Sequence, residues 1–156
     1  MNIFDLLSPA DVLIDVRASN KRLLLQDLAA KAAISLGFGV GQVAPYPLKR
    51  EELGSTGIGD GVAIPHARLP DLQRPFGLLA KLKVPIEFDA IDGRAVDRVF
   101  VLLQPANAAN GQLGALALLA RTLRSSEICG LTVRSRQPVN GVLTETGIGY
   151  RLRCPD

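Results

Sequence analysis

The sequence predicts an α/β layered domain, and three observations carry that expectation. Val12, Ile14 and Val16 alternate with polar neighbours, the period of a half-buried strand, just ahead of a helical stretch KRLLLQDLAAKAAISL. Two apolar runs of strand length come later, GLLAKLKV at 77–84 and DRVFVLLQ at 97–104. After them GQLGALALLARTLRS, residues 111–125, reads as an amphipathic to buried helix of about four turns. Strand, helix, a glycine-rich loop, strands and helix, in that order, suit helices layered on a sheet.

Each element has local reasons. Ser19-Asn20 can cap the first helix, Leu24, Leu25, Leu28, Ala32 and Leu36 recur near helical spacing, and Gly37 supplies a stop. Residues 39–50 are harder. Pro45 and Pro47 are expected to interrupt a helix, leaving at most a short one through LKREEL, residues 48–53. Between the two apolar runs, Ile86, Phe88, Ala90 and Ile91 lead to Asp92-Gly93, a turn signal. From Ser125 onward Gly, Thr, Pro and Arg scatter without period, and only short strands at 131–134 and 150–153 suggest themselves.

Composition narrows the function. A chain of 156 residues points to one domain, and 47% hydrophobic content with 4% aromatics and no Trp calls for an aliphatic core. No apolar run reaches the roughly 18 to 20 residues that span a bilayer. The opening MNIFDLLSPADVLID lacks the basic start of a signal peptide, so a cytoplasmic protein without membrane insertion is expected. The net charge of +3 is uneven: residues 1–120 balance, and the excess comes from Arg121, Arg124, Arg134, Arg136, Arg151 and Arg153. Only Tyr150 interleaves with these arginines, so no stacking platform for nucleic acid is expected. Cys129 and Cys154 lack metal-ligand spacing and are expected to be reduced thiols.

The chemistry concentrates in GSTGIGDGVAIPHARL, residues 54–69, which holds the single histidine, His66. Gly57, Gly59 and Gly61 match neither a dinucleotide fingerprint nor a P-loop. Such glycines can bring backbone N–H groups close to an anion. Ser55 and Thr56 add hydroxyl donors, and Arg50 and Arg68 add guanidinium forks suited to phosphate. An imidazole is a good nucleophile near neutral pH and could accept a phosphoryl group there. That requires one free ring nitrogen and an acceptor on the other, for which Asp60 or a backbone carbonyl would serve. A satisfied structural histidine at a strand end explains the same residues equally well, and Arg50 in KREE could simply pair on a solvated helix face. Zinc binding is disfavoured by the lack of a second histidine, and Ser55 lacks a nucleophile elbow.

REELGSTGIGDGVAIPHARL closely resembles the active-site motif of the fructose/mannitol-type EIIA domains of the bacterial phosphotransferase system, especially the stand-alone nitrogen-regulatory EIIA proteins. PIEFDAIDGRAVDRVFVLLQP is similar to the family's second motif. The resemblance covers roughly residues 1–124, taken as the domain core. Residues 125–156 form a divergent C-terminal segment and are a candidate to complete the same domain. It implies a mixed β-sheet flanked by helices in a single EIIA-type domain, and His66 as the phosphoryl acceptor through Nε2. It also implies Arg50, Ser55 and Thr56 around the phosphate, and no metal or organic cofactor. The implied donor is a carrier of the HPr or NPr type, docking on a shallow, largely apolar patch. The implied role is regulatory. The alternatives are a transport EIIA that passes phosphate to a separate EIIB, and a regulatory binding protein that works without phosphorylation.

Two departures stand out. Family members usually carry a second histidine at the start of the late helix, lining the site, where this chain has Gln112. Gln can donate a hydrogen bond but carries neither a proton to give nor a positive charge. The family ending is helical and rich in Leu and Ala, whereas this chain has the Arg-, Gly- and Cys-bearing segment.

Overall fold

The structure, a computed structural model, describes residues 6–107 and 112–124. Among these residues, six strands and three helices follow in the order β1 (Val12–Val16), α1 (Lys21–Leu36), α2 (Pro45–Glu52), β2 (Gly57–Gly59), β3 (Val62–Ala63), β4 (His66–Leu69), β5 (Phe76–Ile86), β6 (Val96–Pro105) and α3 (Gln112–Arg124). The strands make one sheet in the order β1-β5-β6-β3-β2, with β4 also on β6. β1 lies parallel to β5, and β5 antiparallel to β6. β3 and β4 both run parallel to β6 along its other edge, opposite Arg98–Val99 and Leu102–Pro105 respectively. This is the mixed sheet flanked by helices, in a single domain, that the sequence led us to expect. The strands suggested at 131–134 and 150–153 lie outside the described residues.

The alternation of β6 sorts the core into two faces. Val99, Val101 and Leu103 pack with Leu24, Leu25, Leu28 and Ala32 of α1. Phe100 and Leu102 face the other way, against Ala115, Leu119 and Leu123 of α3. Each such fully buried aliphatic or aromatic side chain contributes about 1.5–3 kcal/mol, so β6, covered on both faces, is the spine of the domain.

The termini of α1 obey their local chemistry. Asn20 Oδ1 accepts the Leu23 N–H at 2.9 Å, and Gly37 takes a left-handed φ of 72° to end the helix. The expectation that Pro45 and Pro47 interrupt the next helix needs correcting. α2 begins at Pro45 and runs through both prolines. In a first turn the backbone N–H groups have no helical partner, so the missing donors cost nothing and the fixed φ suits the helix.

The glycine-rich stretch also differs from the loop expected of it. It contains β2, the Asp60-Gly61 turn, β3 and β4. The turn needs left-handed backbone at both positions, φ 56° at Asp60 and 76° at Gly61, which Asp and Gly tolerate best. Gly57 is there for closeness: a Cβ would stand 2.8 Å from Ala90 Cα.

Candidate functional site

β4 pairs His66 with Leu102 of β6. Ala67 and Leu69 enter the α1 core, and the alternation turns His66 and Arg68 to the opposite face, the one α3 covers. Among the described residues β4 has one strand neighbour, and α2 packs beside it, so Arg50 reaches the ring from there.

The ring is held at both nitrogens. Nδ1 lies 2.8 Å from the Ile64 carbonyl oxygen, and Arg50 Nε lies 3.2 Å from Nε2. A carbonyl can only accept and a guanidinium N–H can only donate. Nδ1 therefore carries the proton, Nε2 carries the lone pair, and the imidazole is neutral. Burial lowers the His66 pKa, the nearby Arg50 charge adds to that, and together they outweigh the Ile64 bond and the Glu51 charge, which act to raise it. The acceptor left open between Asp60 and a backbone carbonyl is the carbonyl. Asp60 instead sits in the β2–β3 turn, where its N–H bonds Asp92 and its carboxylate lies 3.6 Å from Arg124.

Arg50 is anchored from behind, its Nη1 donating to the Gly54 carbonyl at 3.0 Å. Among the described residues it makes no ion pair, so its charge faces the histidine and not a carboxylate on a solvated helix face. His66, Arg50 and Arg68 open onto a cleft of about 550 Å³ shared with Tyr46, Lys49, Glu52 and Leu53. Leu53 is 86% exposed, which leaves an apolar shelf beside three cations, Lys49, Arg50 and Arg68, and one carboxylate, Glu52.

Ser55 and Thr56 are brought to the same segment, but their hydroxyl protons are used inside the protein. Ser55 Oγ donates to the Phe88 carbonyl at 2.6 Å, and Thr56 Oγ1 donates to Glu51 Oε2 at 2.5 Å. The partner, Glu51, is the residue that sequence reasoning passed over. It is buried to 8% exposure and accepts bonds from Thr56 and Lys21. In KREE nothing separates it from a surface carboxylate; the only hint is a hydroxyl residue five positions on. Gln112 opens α3, on the sheet face from which His66 rises. Among the described residues no cluster of His, Cys, Asp and Glu could hold a metal ion, and no helix is long and apolar enough to cross a membrane.

A single histidine with its lone pair on a guanidinium, at the edge of a mixed sheet, defines a class whose sequence model can be compared directly. Residues 5–137 match the family described as phosphoenolpyruvate-dependent sugar phosphotransferase system, EIIA 2, and the chain belongs to that family. Within it, the chain is most like the nitrogen-regulatory EIIA proteins. It is 47% identical over 128 residues to a nitrogen regulatory protein of Bradyrhizobium diazoefficiens, covering 82% of this chain and 84% of the relative. Against that of Klebsiella oxytoca the identity is 38% over 135 residues, covering 85% and 83%. The crystal structure of nitrogen regulatory protein IIA-Ntr from Neisseria meningitidis superimposes with a TM-score of 0.75 at 31% identity, covering 81% of this chain and 87% of that one.

Proposed function

We propose that His66 accepts a phosphoryl group from the phosphohistidine of an HPr- or NPr-type carrier, and that the protein acts as a regulatory phosphocarrier. The observation that carries this reading is the state of the ring: neutral, with Nδ1–H on the Ile64 carbonyl and the Nε2 lone pair turned to Arg50 in an open cleft. The Nε2 lone pair attacks phosphorus. The bond from phosphorus to the carrier's ring nitrogen breaks, and its electron pair returns to that imidazole. Arg50 gives up its bond to Nε2 and donates to phosphoryl oxygens instead. Nδ1 keeps its proton, and the Ile64 carbonyl stabilises the positive charge the ring acquires. The transfer balances without a metal or an organic cofactor.

On this reading Ser55 and Thr56 support the phosphate site by fixing the loop beside it, and Gln112, the first residue of α3, is proposed as a further support. The exposed Leu53 and an excess of cations over the single carboxylate Glu52 suit transient docking of a carrier that presents an anionic phosphoryl group. A phosphoryl group adds about two negative charges, enough for a partner to tell the two states apart. The nitrogen regulatory relatives favour this role over onward transfer to an EIIB. The activity is assigned to residues 1–124, with 125–156 as the divergent segment.

Intact mass spectrometry tests the proposal. With phosphoenolpyruvate, the general enzyme of the system and its carrier, the chain should gain one phosphoryl group, and His66→Ala should abolish the gain. No gain under conditions that phosphorylate a control EIIA would overturn it. Rapid onward transfer to an EIIB cysteine would move the protein to the transport class.

A further inference from the structure

Resting on the reading of His66 as phosphoryl acceptor, we infer that Glu51 is a positioning residue for the transfer, holding both His66 and Arg50 in place from beneath the site. Its carboxylate is the start of an unbroken run of hydrogen bonds that ends on the imidazole. Thr56 N–H donates to Glu51 Oε1 at 3.0 Å and Thr56 Oγ1 to Oε2 at 2.5 Å. The Thr56 carbonyl accepts the Ile64 N–H at 3.0 Å. The Ile64 carbonyl accepts His66 Nδ1–H at 2.8 Å. Every joint in this run is a fixed backbone or buried group, so displacing Thr56 displaces the acceptor that sets the ring's tautomer and direction.

Glu51 also holds the other partner. Arg50 precedes it on α2 and reaches the Gly54 carbonyl, so the bonds Glu51 accepts from Thr56 fix the turn that Arg50 leans on. The remaining valence of the carboxylate goes to Lys21 Nζ at 3.2 Å. Lys21 in turn bonds Asp89 at 3.1 Å and sits 5.3 Å above the Phe88 ring, whose carbonyl takes the Ser55 hydroxyl. The N-terminus of α1, the end of α2 and the glycine segment thus meet at one buried carboxylate, and the β5–β6 connection is tied in through Lys21 and Ser55. Burial works to lower the Lys21 pKa, but the bonds and charges of Asp89 and Glu51 win and raise it, so Lys21 keeps its charge at neutral pH. Glu51 stays out of the His66 cleft lining, so it acts through Arg50 and His66 and not on the incoming carrier.

The test combines single-turnover transfer from phosphorylated carrier with proton-carbon NMR of the ring, which the single histidine makes unambiguous. For Glu51→Gln the maximal rate should fall about ten- to a hundred-fold, the scale of a misplaced reacting group. The half-saturating carrier concentration should stay within about two-fold, since the docking surface is untouched. The His66 ring should titrate at lower pH, because Arg50 then faces it without the opposing Glu51 charge. Thr56→Val, which keeps the N–H but loses the hydroxyl, should show a smaller fall in the same direction, and it carries the test if Glu51→Gln does not fold. A maximal rate within about two-fold of wild type, a loss confined to carrier affinity, or an unmoved ring titration would each overturn the inference. If the wild type takes no phosphoryl group, the functional reading fails, and the NMR comparison alone still decides whether Glu51 holds the ring.

Discussion

Two polar clamps grip the same glycine-rich stretch from opposite ends, and they do opposite chemistry. At the entrance Glu51 collects donors: a backbone N–H, a hydroxyl and an ammonium. At the β2–β3 turn Arg98 supplies donors to the Leu123 carbonyl at 2.8 Å, to the Asp60 carbonyl and to the Asp97 carboxylate. Arg124 adds a bond to the Ile58 carbonyl. The first clamp lies next to the histidine, and the second ties the turn to the end of α3. The difference teaches that a segment rich in glycine need not be a mobile loop. Its glycines allow close packing and a tight turn, while charged side chains at both ends satisfy its peptide groups. Damage at the second clamp should therefore cost stability, and damage at the first should cost rate.

The largest effect should come from Arg98→Leu. Arg98 is 8% exposed, and loss of its guanidinium strands the Leu123 carbonyl at the end of α3 and removes the donor to the Asp60 carbonyl at the turn. A loss of about 2–3 kcal/mol in urea unfolding is expected, the cost of leaving the buried Leu123 carbonyl unpaired together with the loss of the bonds to Asp60 and Asp97. A loss below about 1 kcal/mol would mean that water replaces the guanidinium, and the second clamp would be decorative.

The contrast also explains what was legible in the sequence. α1, β5 and β6 are long, carry their own period and lie on the chain where their pattern says. β2, β3 and β4 have three, two and four residues. Strands that short have no period to read, and they exist only because β6 offers an edge. Pro45 and Pro47 misled because proline breaks a helix interior and starts a helix equally well; the position within the turn decides. That His66 and Arg50 would lie together was suggested by their motif, and the two side chains do meet. Glu51 was not, because burial of a carboxylate depends on Lys21 and Thr56 arriving from elsewhere in the fold.

Arg50→Ala should break the comparison in the other direction. Arg50 bonds an exposed carbonyl and makes no ion pair among the described residues, so unfolding stability should change by no more than about 0.5 kcal/mol. The transfer rate from carrier should drop about ten- to a hundred-fold, as donors for the phosphoryl oxygens and for orientation are lost. A pH series sharpens the assignment. The folded His66 pKa lies below its ordinary value, so the neutral, nucleophilic ring persists as pH falls below 6.5 and is lost only through the lower folded value. Removing Arg50 takes away a repelling charge and some burial, so the acid limb of the rate profile should move to higher pH. An unmoved limb would mean that Arg50 does not act on the ring.

The smallest change should come from Gln112→His, which probes the site from the α3 side. His66 and its register partner Leu102 lie on the face that Ala115 and Leu119 cover, and the helix bearing them begins at Gln112. A histidine at that position could carry a positive charge toward the phosphoryl oxygens, which glutamine cannot. Transfer from the carrier should accelerate by about two- to five-fold. The gain should be larger at pH 6 than at pH 8, since only the protonated imidazole adds charge. A gain without pH dependence would point to a better hydrogen bond and not to charge. An unchanged rate at both pH values would mean that the first residue of α3 does not address the phosphoryl group, and that Glu51 and Arg50 organise the site from the α2 side alone.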